Sequence, residues 1–203
     1  MNIIKASIAV CLAISSTAAV AKPNYIENNG IAVIEAEDFS AQHLDSKRRW
    51  MIFSKNTPQH NYADNDLAHH LTASEGKYIE LLPDTRTNHS ETLVRGENFS
   101  EEPGKMAVLS YPVYFNTPGT YYVWARAFST GPEDNGLHIG LNGTWPDTGK
   151  RLQLCHDKYQ WTWSSAQRVP SNHCGTPNSI TLTIPSAGVH NVMISMREDG
   201  FEL

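Results

Sequence analysis

Cysteine is scarce in this sequence: Cys11, Cys155 and Cys174 are the only three in 203 residues. That excludes a small scaffold stapled by many disulfides and the paired cysteine knuckles of structural zinc modules. Positive charge is also scarce. The formal net charge is -5, and the one basic cluster is Lys47-Arg48-Arg49. A chain so balanced lacks the basic surface that nucleic acid requires, and the cluster reads as a solvated loop. Long apolar runs are missing as well. Ala6 to Val20 is too short and too rich in Ala and Ser to make a good membrane span. There is no low-complexity linker, no repeat of whole-domain size and no amphipathic helical period, so the mature chain reads as one domain.

The first residues read as a leader rather than as fold. Lys5 supplies a positive start, Ala6 to Val20 the apolar stretch, and Ala19-Val20-Ala21 the small residues a signal peptidase needs. Cleavage is expected after Ala21, which gives a secreted or periplasmic protein with no membrane attachment after processing. A lipid anchor on Cys11 would want a small residue before it, and Val10 is not one. The mature chain then keeps Cys155 and Cys174, which in an oxidising compartment most simply form one disulfide. The alternative is a metal set of Cys155, His156, His173 and Cys174. Adjacent ligands point apart in an extended strand, so the spacing is wrong for the usual zinc patterns.

Period-2 patterning dominates what remains. Leu109 to Phe128 holds two runs rich in aromatic and β-branched residues around Asn116-Thr117-Pro118-Gly119, which predicts a β-hairpin. Tyr122, Trp124, Arg126 and Phe128 share one face of its second strand. Arg126 there must reach a partner, an edge or a ligand. Further strands are predicted over Ile31–Glu37, Lys77–Leu82, Leu137–Leu141, Arg151–Cys155, Trp161–Val169, Ser179–Ile184 and Val189–Met196. The last two are expected to pair as a hairpin around Pro185-Ser186-Ala187-Gly188. Asp38–Ala73 and Thr85–Lys105 read as long loops, the first with room for a short helical turn. About eight or nine short strands with Gly, Pro and Asn turns predict an all-β sandwich or jelly roll. The chain stops at Leu203 just as another strand begins, so either that strand is very short or a longer product follows.

Signatures of covalent catalysis are not found: no nucleophile elbow, phosphate-binding glycine loop or zincin helix. Glycosidases and lyases need none of these. Glu35 and Glu37 stand at i and i+2 on a predicted strand and point to one face together. Two such acids either share a hard cation such as Ca²⁺ or lie exposed on an edge. Trp50, Trp145, Trp161 and Trp163 fall in or beside loops. Exposed indoles suit stacking on the C–H faces of sugars, with amides, acids and Arg bonding the hydroxyls. Each Trp taken singly could equally cap the core.

Several segments, in order, resemble the carbohydrate-binding modules of families 6 and 35. They are Ile34-Glu35-Ala36-Glu37-Asp38-Phe39, then Phe115 to Val123 with Arg126-Ala127, then Trp161-Thr162-Trp163. Pro185 to His190 and Gly200-Phe201-Glu202-Leu203 complete the set. The resemblance covers about Ile34 to Leu203. It implies a galactose-binding-like jelly roll over residues 22–203, broken off before its last strand, that binds a glycan without cleaving it. It also implies that Glu35 and Glu37 hold a structural Ca²⁺, and that an Asp beyond Leu203 would supply another ligand. Trp161 would be the stacking aromatic, with Tyr78 second. Glu202 stands where the family commonly has a sugar-binding Asn, which leaves sugar specificity open.

The expectation is therefore a secreted, non-catalytic module that binds a polysaccharide such as an algal galactan or another cell-wall glycan. It could be one part of a larger degrading enzyme, of the kind marine bacteria secrete. Trp161 would stack on the sugar, with Trp145, Tyr78, Asn135, Arg197, Asp199 and Glu202 around it. The acidic balance favours neutral galactans or xylans over sulfated ones, unless Lys47-Arg48-Arg49 reverses that. The rival from another class is a lyase or hydrolase using His89, Arg95 and Tyr78, or Glu198 and Asp199. A structural adhesion domain is the third reading.

Overall fold

The computed structural model describes residues 22–203. The expected leader, with Cys11 in it, lies outside the described residues. The first strands are β1 (Tyr25–Ile26), β2 (Ala41–His43), β3 (Arg49–Ser54), β4 (Lys77–Leu82) and β5 (Val108–Phe115). Then come β6 (Gly119–Tyr122), β7 (Ala125–Ala127), β8 (Gly136–Leu141), β9 (Leu152–Gln153) and β10 (Thr162–Ser164). The remaining strands are β11 (Gln167–Val169), β12 (Asn172–Thr176), β13 (Thr181–Ile184) and β14 (Gly188–Met196). The fold is an all-β sandwich of curled, mostly antiparallel sheets, as the strand pattern predicted.

One layer is a sheet in the order β1-β5-β14-β8-β9-β11-β12, with β2 also on β5. The other is stitched from the pairs β3–β4, β6–β13 and β7–β10. Residues 201–203 join those pairs. Ile79 and Leu203 exchange both backbone bonds at 2.9 Å, and the Phe128 amide donates to the Glu202 carbonyl at 3.2 Å. Between the layers, alternate residues meet as period-2 strands require. Leu109, Tyr111 and Val113 of β5, Ile139 of β8 and Met196 of β14 pack with Ile79 and Leu81 of β4 and with Leu182 of β13.

Both predicted hairpins are instead crossings from one layer to the other. β5 pairs with β14, while β6 pairs with β13. The turn at Asn116 is held by Glu27, not by a ladder. The Glu27 carboxylate accepts from the amides of Asn116 at 2.8 Å and Thr117 at 3.0 Å. The crossing from β13 to β14 lies alongside, because Ile184 opposes Gly119 and Gly188 opposes Phe115. Large side chains on both flanks fit this arrangement, since each strand faces a different neighbour.

Ile31–Glu37 is not a strand. Tyr25 takes its place as the partner: its hydroxyl bonds both the amide and the carbonyl of Glu35 at 3.1 Å. Ala36–Asp38 then closes a 3₁₀ turn. The predicted loop Asp38–Ala73 contains β2 and β3, and Arg48 in its basic cluster is buried rather than solvated. Arg48 Nη2 lies 2.9 Å from Asp199 Oδ2. Arg151–Cys155 shortens to β9, Trp161–Val169 divides into β10 and β11, and β12 was not foreseen. The cysteines are settled: Cys155 and Cys174 form a disulfide, with Cα atoms 5.3 Å apart, so no Cys₂His₂ set exists.

Candidate functional site

β7 and β10 pair so that Trp163 stands opposite Arg126. Trp124, just before β7, and Trp163 are 49% and 59% exposed. Trp161 leads into β10 and is half-buried. It meets Tyr78 and Phe128 edge-on, each at 5.6 Å between ring centroids. The Arg126 guanidinium sits 5.3 Å from the centre of its ring, within cation–π range. The indole N–H of Trp161 is buried without an acceptor.

These three indoles line one cavity of about 560 Å³ that opens between the two layers. Its floor is apolar, from Tyr111, Ile139, Val192 and Ile194. Its rim carries Lys77, Arg126, Glu35 and Glu37. The volume is in the range of small-molecule sites, and an apolar bed with a few convergent polar groups is the usual composition of one. Glu37 is buried, and its carboxyl is pushed up from the ordinary range by that burial first and by Glu35 next. Lys77 Nζ lies 4.0 Å from it. With no β-strand beneath them, Glu35 and Glu37 do not share the strand face assigned from their spacing. Among the described residues, no three His, Cys, Asp or Glu side chains converge as a metal cage.

The other predicted residues are dispersed. Tyr78, the second stacking candidate, contacts Trp161 but is buried, stacked on Phe53 at 5.0 Å. Glu202 is beside it and also buried, with both carboxyl oxygens 2.9 Å from His69 Nδ1. The His69 ring stacks on Phe128 at 3.7 Å, so the 59–73 segment roofs this end of the layer. Glu202 belongs to a seam of buried acids with Glu80, Asp84 and Asp134, with the half-buried Asp66 beside them. Burial, then mutual repulsion, pushes Glu80 and Glu202 up to about 10 and Asp84 up to about 7. Glu202 and His69 share one proton-mediated contact in this seam. Asp199 is fully buried, accepting from Arg48 and from the Thr85 amide and hydroxyl. None of these acids is offered to an external sugar.

Trp145 lies on the outer face of the large sheet, over Gly140, where an added Cβ would meet its ring at 2.7 Å. It is not part of the aromatic cavity. Asn135 is buried, its amide donating to Glu198 Oε2 at 3.1 Å and its side chain to the Pro132 carbonyl at 2.7 Å. Arg197 and Glu198 pair with each other at the edge of a separate cleft that also holds His89 and Arg95. The proposed His89, Arg95 and Tyr78 set is thereby split, since Tyr78 lies in the other layer. Trp124, Arg126 and Lys77 were missed as site residues. The signal for two of them was present: Trp124 and the charged Arg126 fall on one face of a strand.

The class these features define is an all-β sandwich with an aromatic cavity opening between its layers. No family model and no solved structure matches the chain. It is 53% identical over 176 residues, 87% of its length, to a Formosa agariphila protein named "Uncharacterized protein P23". The chain spans 43% of that relative's own length.

Proposed function

We propose that this is a secreted, non-catalytic carbohydrate-binding module, and that its ligand is a polysaccharide bound at the Trp124, Trp161 and Trp163 cavity. The observation that carries this reading is the convergence of three indoles and Arg126 on one opening with an apolar floor. A sugar ring presents apolar C–H faces edged by hydroxyls. Indole faces would cover the former, while Arg126, Lys77 and Glu35 would bond the latter. The disulfide fits an oxidising compartment. No helix among the described residues is long and apolar enough to cross a membrane. The relative's greater length is compatible with a module set in a longer protein.

The test is Trp163→Ala. Trp163 is largely exposed, so its removal leaves the core intact. Loss of one stacking face should cost about 2 kcal/mol, or ~30-fold in Kd, against the polysaccharide that wild type retains. An unchanged affinity would remove the site. Reducing-sugar release, or absorbance from an unsaturated uronate, would replace the module with an enzyme. Ca²⁺ at Glu35 and Glu37 belongs to the same proposal. Burial first and then Glu35 raise the proton affinity of Glu37, but the two carboxyls do not complete a cage alone. EDTA should lower the Tm if the ion is held, and an identical Tm with and without EDTA would dismiss it.

A further inference from the structure

Part of the positive charge of this acidic protein is gathered in one place. Five of its arginines, Arg86, Arg95, Arg151, Arg168 and Arg197, line one cleft of about 460 Å³ with His89 and His173. Three glutamates, Glu101, Glu133 and Glu198, oppose them. The cleft runs into a neighbouring cavity of about 730 Å³ that shares Arg95, Phe99 and Glu101 and adds Lys47 and Lys105. Its position is fixed by the fold. Arg168 on β11, His173 on β12 and Arg197 just after β14 come from the large sheet. The segment carrying Arg86 to Glu101 forms the opposite wall, tied down where Phe99 bridges Glu198. The Cys155–Cys174 bond anchors β12 beside His173.

Not all of this charge is spent internally. Glu133 is shared by Arg86 and His89, and Glu101 by Arg95 and Arg151 at 3.7 and 3.3 Å. Glu198 takes Arg197, whose guanidinium also lies 5.1 Å from the Phe99 ring centre and whose Nε is buried without an acceptor. Arg168 has no side-chain partner among the described residues. Burial first, then Arg197, hold its proton affinity below the ordinary arginine range. Guanidinium groups are planar forks matched to sulfate and carboxylate oxygens, and such paired bonds are the strong ones.

We infer that the arginine cleft is a second site, which takes the sulfate or carboxylate groups of an acidic glycan. This deepens the carbohydrate reading by naming the ligand's charge, against the neutral glycans that net charge alone favours. The two cavities in series offer a groove longer than one sugar, with cationic side chains along both parts. Arg168 and Arg95 are the free or exposed members that would meet the ligand first, Arg95 with a side chain 72% exposed.

The test is isothermal titration of wild type, Arg168→Ala, Arg95→Ala and Trp163→Ala with four probes: carrageenan (sulfated), alginate (a polyuronate), agarose (neutral) and duplex DNA. Wild type should bind carrageenan or alginate, and binding should weaken as salt rises from 50 to 500 mM. The first arm alone assigns sulfate, the second alone carboxylate, and both together a general oxyanion site. Arg168→Ala should weaken acidic-glycan binding about tenfold and leave agarose binding as in wild type. Arg95→Ala serves the same purpose on an exposed side chain that cannot affect folding. Acidic-glycan affinity unchanged from wild type in both arginine variants would overturn the proposal, as would no binding of either acidic glycan by folded wild type. DNA binding as tight as glycan binding would overturn the glycan assignment. Agarose binding lost in Trp163→Ala, with arginine variants unaffected throughout, would leave the aromatic site standing and this one refuted.

Discussion

Replacing Glu80 by Gln should stabilise the protein, and increasingly so as pH rises. Glu80 on β4 faces Glu202 across a strand bridge, is 1% exposed, and leaves Oε1 without a partner. An ionised carboxylate there would carry most of its desolvation cost uncompensated. Folding accordingly raises its pKa from 4.5 to about 10, by burial first and then by Asp64 and Glu202. The sign follows from linkage. Between those two values the folded state binds a proton that the unfolded state has released, so stability falls as pH rises through that window. Each pH unit costs at most about 1.4 kcal/mol per such group. From pH 5.5 to 7.5, Glu80 alone should remove about 3 kcal/mol, and Glu202, raised to about 10, acts in the same direction. The Gln amide has the same shape and no proton to lose. In thermal melts in EDTA, the drop in Tm over that interval should be smaller for Glu80→Gln than for wild type by roughly 6–10 °C. Equal drops in the two proteins would refute the buried-acid reasoning. So would a Gln variant less stable than wild type at pH 7.5.

Two further expectations concern the frame around the sites. Gly200 has φ +68°, and a Cβ there would lie 2.6 Å from Asp84 Cγ. Gly200→Ala therefore combines a left-handed backbone cost of about 1–2 kcal/mol with a clash against a buried acid. Its denaturant midpoint should fall well below wild type, and an unchanged midpoint would show that the Asp84–Gly200 contact yields freely. Cys174→Ser opens a link between residues 19 apart in sequence, which the chain-entropy model values at about 3 kcal/mol. Urea unfolding should show that loss, whereas identical curves for the variant and the oxidised wild type would mean the bond contributes nothing.

Alternation in the sequence reveals strands and their faces but not their partners. Val113, Phe115, Tyr121 and the Pro118-Gly119 turn were legible as two strands and a reversal. What makes the reversal a crossing between layers is Glu27, 89 residues before Asn116, whose carboxylate takes the turn amides. Local turn chemistry cannot report a partner so distant. Arg48 is the same lesson in charge. Within Lys47-Arg48-Arg49 it looks solvated, yet its partner Asp199 is 151 residues away and buried. Ile31–Glu37 failed for a related reason: the Tyr25 hydroxyl satisfies Glu35 in place of a neighbouring strand.

The site was legible in part. Trp161, read as the stacking aromatic, does line the cavity, and Tyr78 touches it, but Tyr78 and Glu202 are roofed by the segment carrying His69. A long polar stretch gives no sign of which surface it covers. Trp124 and Trp163 are the indoles left open, and only the β7–β10 pairing places them together. The arginine cleft was invisible for the same reason. Its five arginines are scattered from Arg86 to Arg197, and no run of the sequence is basic there.

The most direct measurement is affinity electrophoresis of wild type and Trp163→Ala through gels containing agarose, porphyran, carrageenan, alginate, xylan or cellulose, with product release assayed in parallel. Selective retardation of wild type in at least one gel is expected, relieved in Trp163→Ala and unaccompanied by product. A folded wild type that migrates freely in every gel, or a Trp163→Ala protein retarded as strongly as wild type, would contradict carbohydrate binding at the aromatic cavity.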